Sequence, residues 1–252
     1  MPHKIYGVDI TVGATTWYAK SEQYYKQDKS AFFIRDTLVK SDPAFLYGPT
    51  LAVRFSNDFN LTFVFLYGSF ETTKNDGNVE SKSKYKRIDS DLALNYRLGD
   101  YFKVFAGIKY LSYDITPAKT DMDTFEIKDI DKHTSFGAGP GLSVTYPLTD
   151  NLFVLSTFSG LYLMGKDKVA IEELAGGIKT GNSRSVNPGY NEYGMNSTLS
   201  LAYYIAPAST VISLGGRFQY LVADYKKNDI YLDSIKFMIY GVTLTATYTF
   251  GI

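Results

Sequence analysis

Few residues in this sequence are of the types that perform catalysis. There is no cysteine, so a thiol nucleophile and a disulfide framework are excluded, and the histidines are His3 and His133. Two short motifs carry acid–base groups, Asp89-x-Asp91 and Asp131-x-His133. The acidic residues before His133 have a spacing that fits no calcium-binding loop, and no glycine-rich phosphate loop leads into a helix. We therefore expect neither a metal nor a cofactor.

A second set of charged residues lies within stretches where apolar and polar residues alternate, on the polar side. If these stretches are strands of a closed barrel, as the pattern below predicts, their polar side lines its lumen. Charges that line a narrow lumen either form a constriction that selects solutes or pair with one another and make the barrel rigid. The tight turn at Gly99-Asp100 joins two stretches that put odd-numbered residues on this side, which predicts that Lys109 pairs with Asp89 or Asp91. The candidate lumen residues are Asp9, Arg54, Asp89, Asp91, Arg97, Lys103, Lys109 and Arg217.

Ten predicted strands position these residues. The last one is the clearest, because from Tyr240 every second residue is apolar and the residues between are Gly and Thr, which is the period-2 pattern of a strand with two unlike faces. Long and short connections alternate, which predicts a single all-β domain over residues 1–252, an antiparallel up-and-down barrel of ten strands. The predicted strands cover about 6–18, 45–55, 61–70, 88–97, 102–111, 136–146, 152–164, 193–205, 210–220 and 236–252.

The long connections carry most of the charged residues. Segment 169–174 precedes a Gly-Gly pair and predicts one or two helical turns. All five long connections fall at one end of the strands, and both termini fall at the other end with the short turns. The predicted long loops are 20–43, 71–87, 114–133, 166–192 and 224–233.

The distribution of side chains predicts that the apolar face of the barrel points outward into a bilayer. Tyr and Phe cluster at strand ends while aliphatic residues dominate strand centres, as in proteins with aromatic girdles at both membrane interfaces. A soluble ligand-binding barrel, with the apolar face inside, remains the alternative. No apolar run approaches the length of a spanning helix. Lys plus Arg equals Asp plus Glu at 26 each, so no global field attracts nucleic acid.

In these features the sequence resembles Gram-negative outer-membrane β-barrel proteins, over all ten strands. The motif most specific to that class is the closing strand with Tyr248-x-Phe250, although here the chain continues through Gly251 and Ile252. The resemblance implies an outer-membrane location, short periplasmic turns and long extracellular loops. It also implies a monomer in contact with the bilayer and lipopolysaccharide, assembled by the barrel-assembly machinery through its C-terminal strand. Residues 1–4 look like a short leader, with the export signal removed or replaced.

Two functions remain open at this stage. The first is a narrow channel or transporter for small solutes, apolar ones included, and the second is a surface protein whose loops bind a partner while a plugged barrel serves as scaffold. Apolar inward positions either fill the lumen or form a greasy pocket, and they are Val64, Leu66, Phe70, Phe105, Leu111, Tyr113, Phe153, Leu155 and Leu161.

A resemblance to ten-stranded omptin proteases would give a rim site to Asp89, Asp91, Asp131 and His133. That resemblance is poor, because a single predicted strand separates His133 from the aspartate pair, whereas the omptin residues face each other across the mouth of the barrel. We therefore do not expect an enzyme.

Overall fold

The computed structural model describes residues 8–27, 37–76, 79–116, 127–172, 174–175, 178–179, 184–225 and 232–251. The leader, the first two residues of the predicted first strand and the final Ile252 lie outside these residues. A short 3-10 helix covers Ala206–Ala208. Among the described residues, no helix is long and apolar enough to cross a membrane. The strands are β1 Asp9–Gln27, β2 Thr37–Ser41, β3 Ala44–Arg54, β4 Phe59–Asp76, β5 Val79–Leu98, β6 Phe102–Thr116, β7 Ile127–Pro147, β8 Leu152–Glu172, β9 Leu174–Ala175, β10 Ile178–Lys179, β11 Arg184–Val186, β12 Gly189–Ile205, β13 Thr210–Tyr225 and β14 Leu232–Gly251.

The strands form a closed antiparallel ring. The second position in this ring is shared by β2 and β3, which both pair with β1 and β4. The order around the ring is β1, β2/β3, β4, β5, β6, β7, β8, β12, β13 and β14, and β14 pairs with β1 again. Strands β2 and β3 make one span that is interrupted at Asp42 and Pro43, where proline offers no backbone donor and the N–H of Asp42 bonds to Glu71 O at 2.8 Å. The closing pair runs from Asp9 opposite Gly251 to Gln27 opposite Leu232. The predicted ten-stranded barrel is thus confirmed.

The two ends of the barrel differ in their connections. Residues 55–58, 99–101, 148–151 and 206–209 make short turns at the end where β1 begins and β14 ends. At one of these turns Gly99 has a φ of 72°, a conformation that glycine adopts without steric cost. The other end carries the longer connections and is the extracellular end in this class of barrel.

The outer wall of the barrel is apolar. On β14, Val242, Leu244 and Tyr248 are about half exposed, whereas Thr243, which faces the lumen, is buried. Exposed aromatic residues continue around the wall, including Phe45 and Phe136. Such a surface would be unstable in water and is stable in a bilayer.

The strands extend well beyond the predicted boundaries at the extracellular end. Strand β1 reaches Gln27, and β4 and β5 remain paired out to Asp76 opposite Val79, so the predicted loops 20–43 and 71–87 are largely strand. The predicted helical turns at 169–174 are wrong, because Val169–Glu172 belongs to β8 and pairs with β7 and β11. The charged residues from which loops were predicted mark only the level at which the outer wall leaves the membrane. Beyond that level the backbone N–H and C=O groups still need hydrogen-bond partners, and the strands therefore remain paired.

Candidate functional site: the filled lumen

A network of buried charges crosses the middle of the lumen. We call Arg87, Asp89, Asp91, Lys109 and Arg217 the ion-pair layer. Lys109 Nζ donates to Asp89 Oδ1 at 2.5 Å and to Asp91 Oδ1 at 2.8 Å, which is the contact predicted across the Gly99 turn. Arg87 Nη2 donates to Asp89 Oδ2 at 2.7 Å. Three cations thus surround two carboxylates, and Asp91 alone keeps appreciable contact with solvent.

This layer joins opposite walls of the barrel. Strands β5 and β13 lie five positions apart in the ring of ten, and Arg217 on β13 reaches Asp91 on β5 at 3.2 Å. Arg87 on β5 in turn donates to Gln219 on β13. Arg217 also stacks over the Trp17 ring, 4.6 Å from its centroid, and Trp17 is fully buried. The lumen is therefore bridged across its full width at this level.

A second set of side chains fills the lumen on the extracellular side of the ion pairs. We call Tyr113, His133, Tyr190, Tyr225 and Phe237 the aromatic layer. Tyr113 stacks on Phe237 from the opposite wall with centroids 5.2 Å apart, and His133 stacks on Tyr190 with centroids 4.4 Å apart. The two layers touch, because Arg87 also bonds to Tyr113.

Two carboxylates hold His133 within the aromatic layer. Its Nδ1 lies 2.6 Å from Asp167 Oδ1, and its Nε2 lies 3.9 Å from Glu192 Oε1. Because neither ring nitrogen has hydrogen-bond geometry with these oxygens, both contacts are best described as ion pairs. Glu192 Oε2 accepts a hydrogen bond from Ser135 at 2.6 Å, and Asp167 accepts one from Tyr225.

His133 lies beyond the membrane-spanning part of the barrel. Its cross-strand neighbours are Tyr113 and Asp167, and the adjacent outward-facing residues at that level are the exposed, charged Asp114, Lys132 and Lys168. Burial disfavours the charged ring, but the attraction of Asp167 and Glu192 outweighs burial and raises the pKa of His133 to about 9. The ring is therefore cationic at neutral pH.

The protonation of His133 makes the outer part of the barrel sensitive to alkaline pH. The pKa is about 9 in the folded protein and about 6.5 in the unfolded chain, so the stabilisation is complete below pH 6.5 and is lost as the pH rises through 9. We expect the free energy of unfolding to fall by about 3 kcal/mol between pH 6.5 and pH 10. Urea unfolding of the detergent-solubilised protein, followed by Trp17 fluorescence, measures this fall, since the chain has a single Trp.

The matched control for that experiment is His133→Gln. This variant lacks the titrating ring, so its stability should change far less over the same pH range. The groups in contact with the ring come from β6, β8, β12 and β14, and they are Tyr113, Asp167, Tyr190, Glu192 and Phe237. Tyr225 on β13 contacts two of these groups, Asp167 and Tyr190. An equal alkaline loss of stability in His133→Gln would assign the effect to groups other than His133.

The eight predicted lumen residues do not form one site. Four of them meet in the ion-pair layer, while the others lie near the periplasmic end. There Arg54 Nε donates to Asp9 Oδ2 at 2.8 Å, and Arg97 turns to Asp100 at 3.1 Å. Lys103 faces inward and is partly buried. A charged constriction that selects solutes stays a prediction.

The four residues considered for a rim protease, Asp89, Asp91, Asp131 and His133, do not form the site that the omptin resemblance would give them. Asp89 and Asp91 are engaged by Lys109 and the arginines, so neither carboxylate is free to act as a base. His133 pairs with Asp167 and Glu192 instead of Asp131, whose side chain lies outside the described residues. In the described part of the chain, no three His, Asp or Glu side chains are arranged to hold a metal ion.

Several residues of the filled lumen were not predicted to lie inside it. Arg87, His133, Asp167 and Glu192 were placed in predicted loops or at their edges, although each continues the inward alternation of a neighbouring strand. Extending the odd-numbered series from Asp91 and Asp89 by one more step would have found Arg87. Trp17 shares the alternation of β1 with Asp9 and so falls on the inner face, but the pattern alone gives it no role.

Comparisons with known proteins agree with this architecture. The model of the family described as Legionella pneumophila major outer membrane protein precursor matches residues 1–221. None of the curated proteins matches the chain. Among solved structures, the outer membrane protease OmpT from Escherichia coli aligns over 99% of both chains with a TM-score of 0.63 at 12% identity. That identity shows a shared fold alone.

Two further structural matches have lower TM-scores. The outer membrane protein OprG from Pseudomonas aeruginosa covers 98% of this chain and 96% of its own, at 12% identity and a TM-score of 0.40. The alignment with the Pseudomonas putida toluene transporter TodX covers 99% of this chain and 90% of TodX, at 10% identity and a TM-score of 0.35.

The family match and the closed barrel with its lipid-facing wall together place the protein in the bacterial outer membrane. The chain belongs to the family of the Legionella major outer membrane protein.

Proposed function

We propose that this protein works from its extracellular surface, as a closed barrel that presents its projecting strands to a partner. The observation that carries the proposal is the filling of the lumen by large side chains that meet from opposite walls. Trp17, Arg87 and Lys109 are each no more than 1% exposed. In a barrel of about ten strands the interior is scarcely wider than its own side chains, so two such layers leave no room for a solute to pass.

The energetics of the ion-pair layer favour a permanent closure. Opening a path would separate Arg217 from Asp91 and Arg87 from Gln219, which leaves charges in a poorly hydrated interior. Leaving one partner of a buried ion pair without its counter-charge costs about 3–5 kcal/mol. Spontaneous opening would therefore be rare.

The part of the protein that projects outside the membrane is built as rigid strand. Strands β4 and β5 remain paired from Glu71 opposite Lys84 out to Asp76 opposite Val79, beyond the last lipid-facing residues of that hairpin. The outward residues of these extensions are charged, as Lys84, Lys86 and Lys132 illustrate. A paired, charged surface on a stiff barrel is suited to binding a partner without first having to be ordered.

The periplasmic half of the lumen is lined by small polar side chains. Thr15 shares hydrogen bonds with Thr50 at 2.7 Å and with Thr245 at 2.9 Å, and Ser213 lies nearby on β13. This space ends at the ion-pair layer. A channel for small solutes, the first function considered from the sequence, would require both layers to move aside.

Thiol labelling from one side of the membrane tests the proposal, because the chain has no cysteine of its own. In Ser213→Cys the new thiol lies in the periplasmic half of the lumen, below Arg217, and in Lys84→Cys it lies on the exposed outer wall. In proteoliposomes that hold the barrel with its extracellular end outward, a small membrane-impermeant methanethiosulfonate added outside should modify Lys84→Cys and should leave Ser213→Cys unmodified.

The same reagent should modify Ser213→Cys once the liposomes are permeabilised, which controls for a thiol that is simply unreactive. Rapid modification of Ser213→Cys from outside intact proteoliposomes, at a rate near that of Lys84→Cys, would establish an open path and refute the closed barrel.

A further inference from the structure

A groove runs along the outer wall of the barrel between β7 and β8. Its volume is about 490 Å³, and its lining includes Asn187, just before β12, and the buried Asp167, whose carboxylate pairs with His133 on the lumen side. Three lysines, Lys132, Lys166 and Lys168, line it together with the apolar Phe136 and Met164. All five of these side chains are exposed and face away from the lumen.

Among the described side chains, the lysines of this groove differ from Lys40 and Lys84 in their partners. Lys40 and Lys84 lie within 4.0 Å of Glu22 and Glu71, respectively. Among the side chains that the structure describes, no carboxylate lies that close to Lys132, Lys166 or Lys168.

The arrangement of the groove lysines concentrates positive charge. Lys132 and Lys168 are direct cross-strand neighbours, and Lys166 lies opposite Thr134 one step nearer the membrane. Like charges placed directly opposite on a sheet are destabilising, and Asp114 on β6, the other neighbour of Lys132, offsets only part of this charge. An anion bound between the lysines would remove the repulsion.

The groove lies where the charged and apolar parts of the outer wall meet. Phe136 and Met164 are 54% and 64% exposed and belong to the lipid-facing surface, directly below the lysines. An apolar floor at the membrane boundary beneath a cluster of ammonium groups matches an amphipathic anion, with acyl chains on one side and a charged headgroup on the other.

We propose that this groove binds the phosphate-bearing headgroup of a lipid in the outer leaflet. The ammonium groups of Lys132, Lys166 and Lys168 would contact the phosphate oxygens, and the lipid's acyl chains would run down over Phe136 and Met164. The inference does not depend on the proposed function, since the groove is on the outer wall and the closed lumen plays no part in it.

A binding titration on the full chain in phosphatidylcholine nanodiscs tests this site. The reporter is the carbon-13 methyl resonance of Met164, with Met238 on β14 as an internal reference. Dihexanoyl phosphatidic acid should shift the Met164 resonance saturably. Changing Lys132, Lys166 and Lys168 together to Gln should weaken its apparent affinity at least tenfold, on the scale expected for removing several lysines from an anionic lipid.

The matched control changes three outer-wall lysines on the other side of the barrel, Lys20, Lys40 and Lys236, to Gln. This variant should bind within about twofold of the unaltered protein. Equal weakening in both variants, or no weakening in the first, would overturn the site. If dihexanoyl phosphatidylcholine binds as tightly as dihexanoyl phosphatidic acid, the groove does not recognise the phosphate charge. If inorganic phosphate binds as tightly, the groove does not recognise the lipid. Either result would overturn the proposal.

Discussion

Lys109→Ala should lower the free energy of unfolding by about 3 kcal/mol, the lower end of the range for breaking a buried ion pair. Lys109 is 1% exposed and donates to both Asp89 and Asp91. Its removal leaves these carboxylates to Arg87 and Arg217, with a cavity where the lysine stem had packed. Urea unfolding in detergent micelles, followed by Trp17 fluorescence, measures the change.

Lys103→Ala is the matched control for this prediction. Lys103 lies on the same inward face of β6, only partly buried, and the structure gives it no carboxylate within 4.0 Å among the described side chains. Its loss should cost less than about 1 kcal/mol. The double variant Lys109→Met with Asp89→Asn should recover part of the loss, because the charges leave together. Equal losses for Lys103→Ala and Lys109→Ala would contradict the importance of the ion-pair layer.

Removing the side chains that cross the lumen should turn a silent barrel into a conducting one. These side chains fill the lumen and make its contacts between opposite walls, so replacing them with serine opens the middle and outer parts of the lumen while the wall stays intact. The remaining Asp89 and Asp91 outnumber Lys109, so the opened lumen should favour cations over anions. The substituted residues are Trp17, Arg87, Tyr113, Tyr190 and Arg217.

A control variant should change the lumen on the periplasmic side of the ion-pair layer and leave the barrel closed. Replacing Thr15, Thr50 and Thr245 with Ala removes hydroxyl groups from the periplasmic half and leaves both layers in place. This variant should conduct no better than the unaltered protein. Circular dichroism and resistance to heat in detergent show that each variant is folded, and silence from a folded five-serine variant would mean that other parts of the chain close the lumen.

The ring of strands could be predicted from the sequence because it depends on local patterns. Alternation places each side chain inside or outside, and the tight turn at Gly99 sets the register between β5 and β6. Together these place Lys109 beside Asp91. The closing contact between β14 and β1 followed from the even number of strands.

The contacts across the lumen could not be predicted in the same way. Arg217 meets Asp91 and Tyr113 meets Phe237 only because of the stagger of the whole ring, to which every pair of neighbouring strands contributes. His133 was assigned from the sequence to a loop at the outer rim, and its place inside the lumen was missed for a different reason. The charged residues around it indicated a loop, although a barrel that projects into water keeps its strands paired and its interior filled.

Conductance of the purified protein in a planar lipid bilayer tests the closed lumen most directly. The unaltered protein should insert without discrete conductance steps, at amounts where the five-serine variant gives them. Reproducible steps from the unaltered, folded protein would contradict the proposal that the ion-pair and aromatic layers seal the barrel.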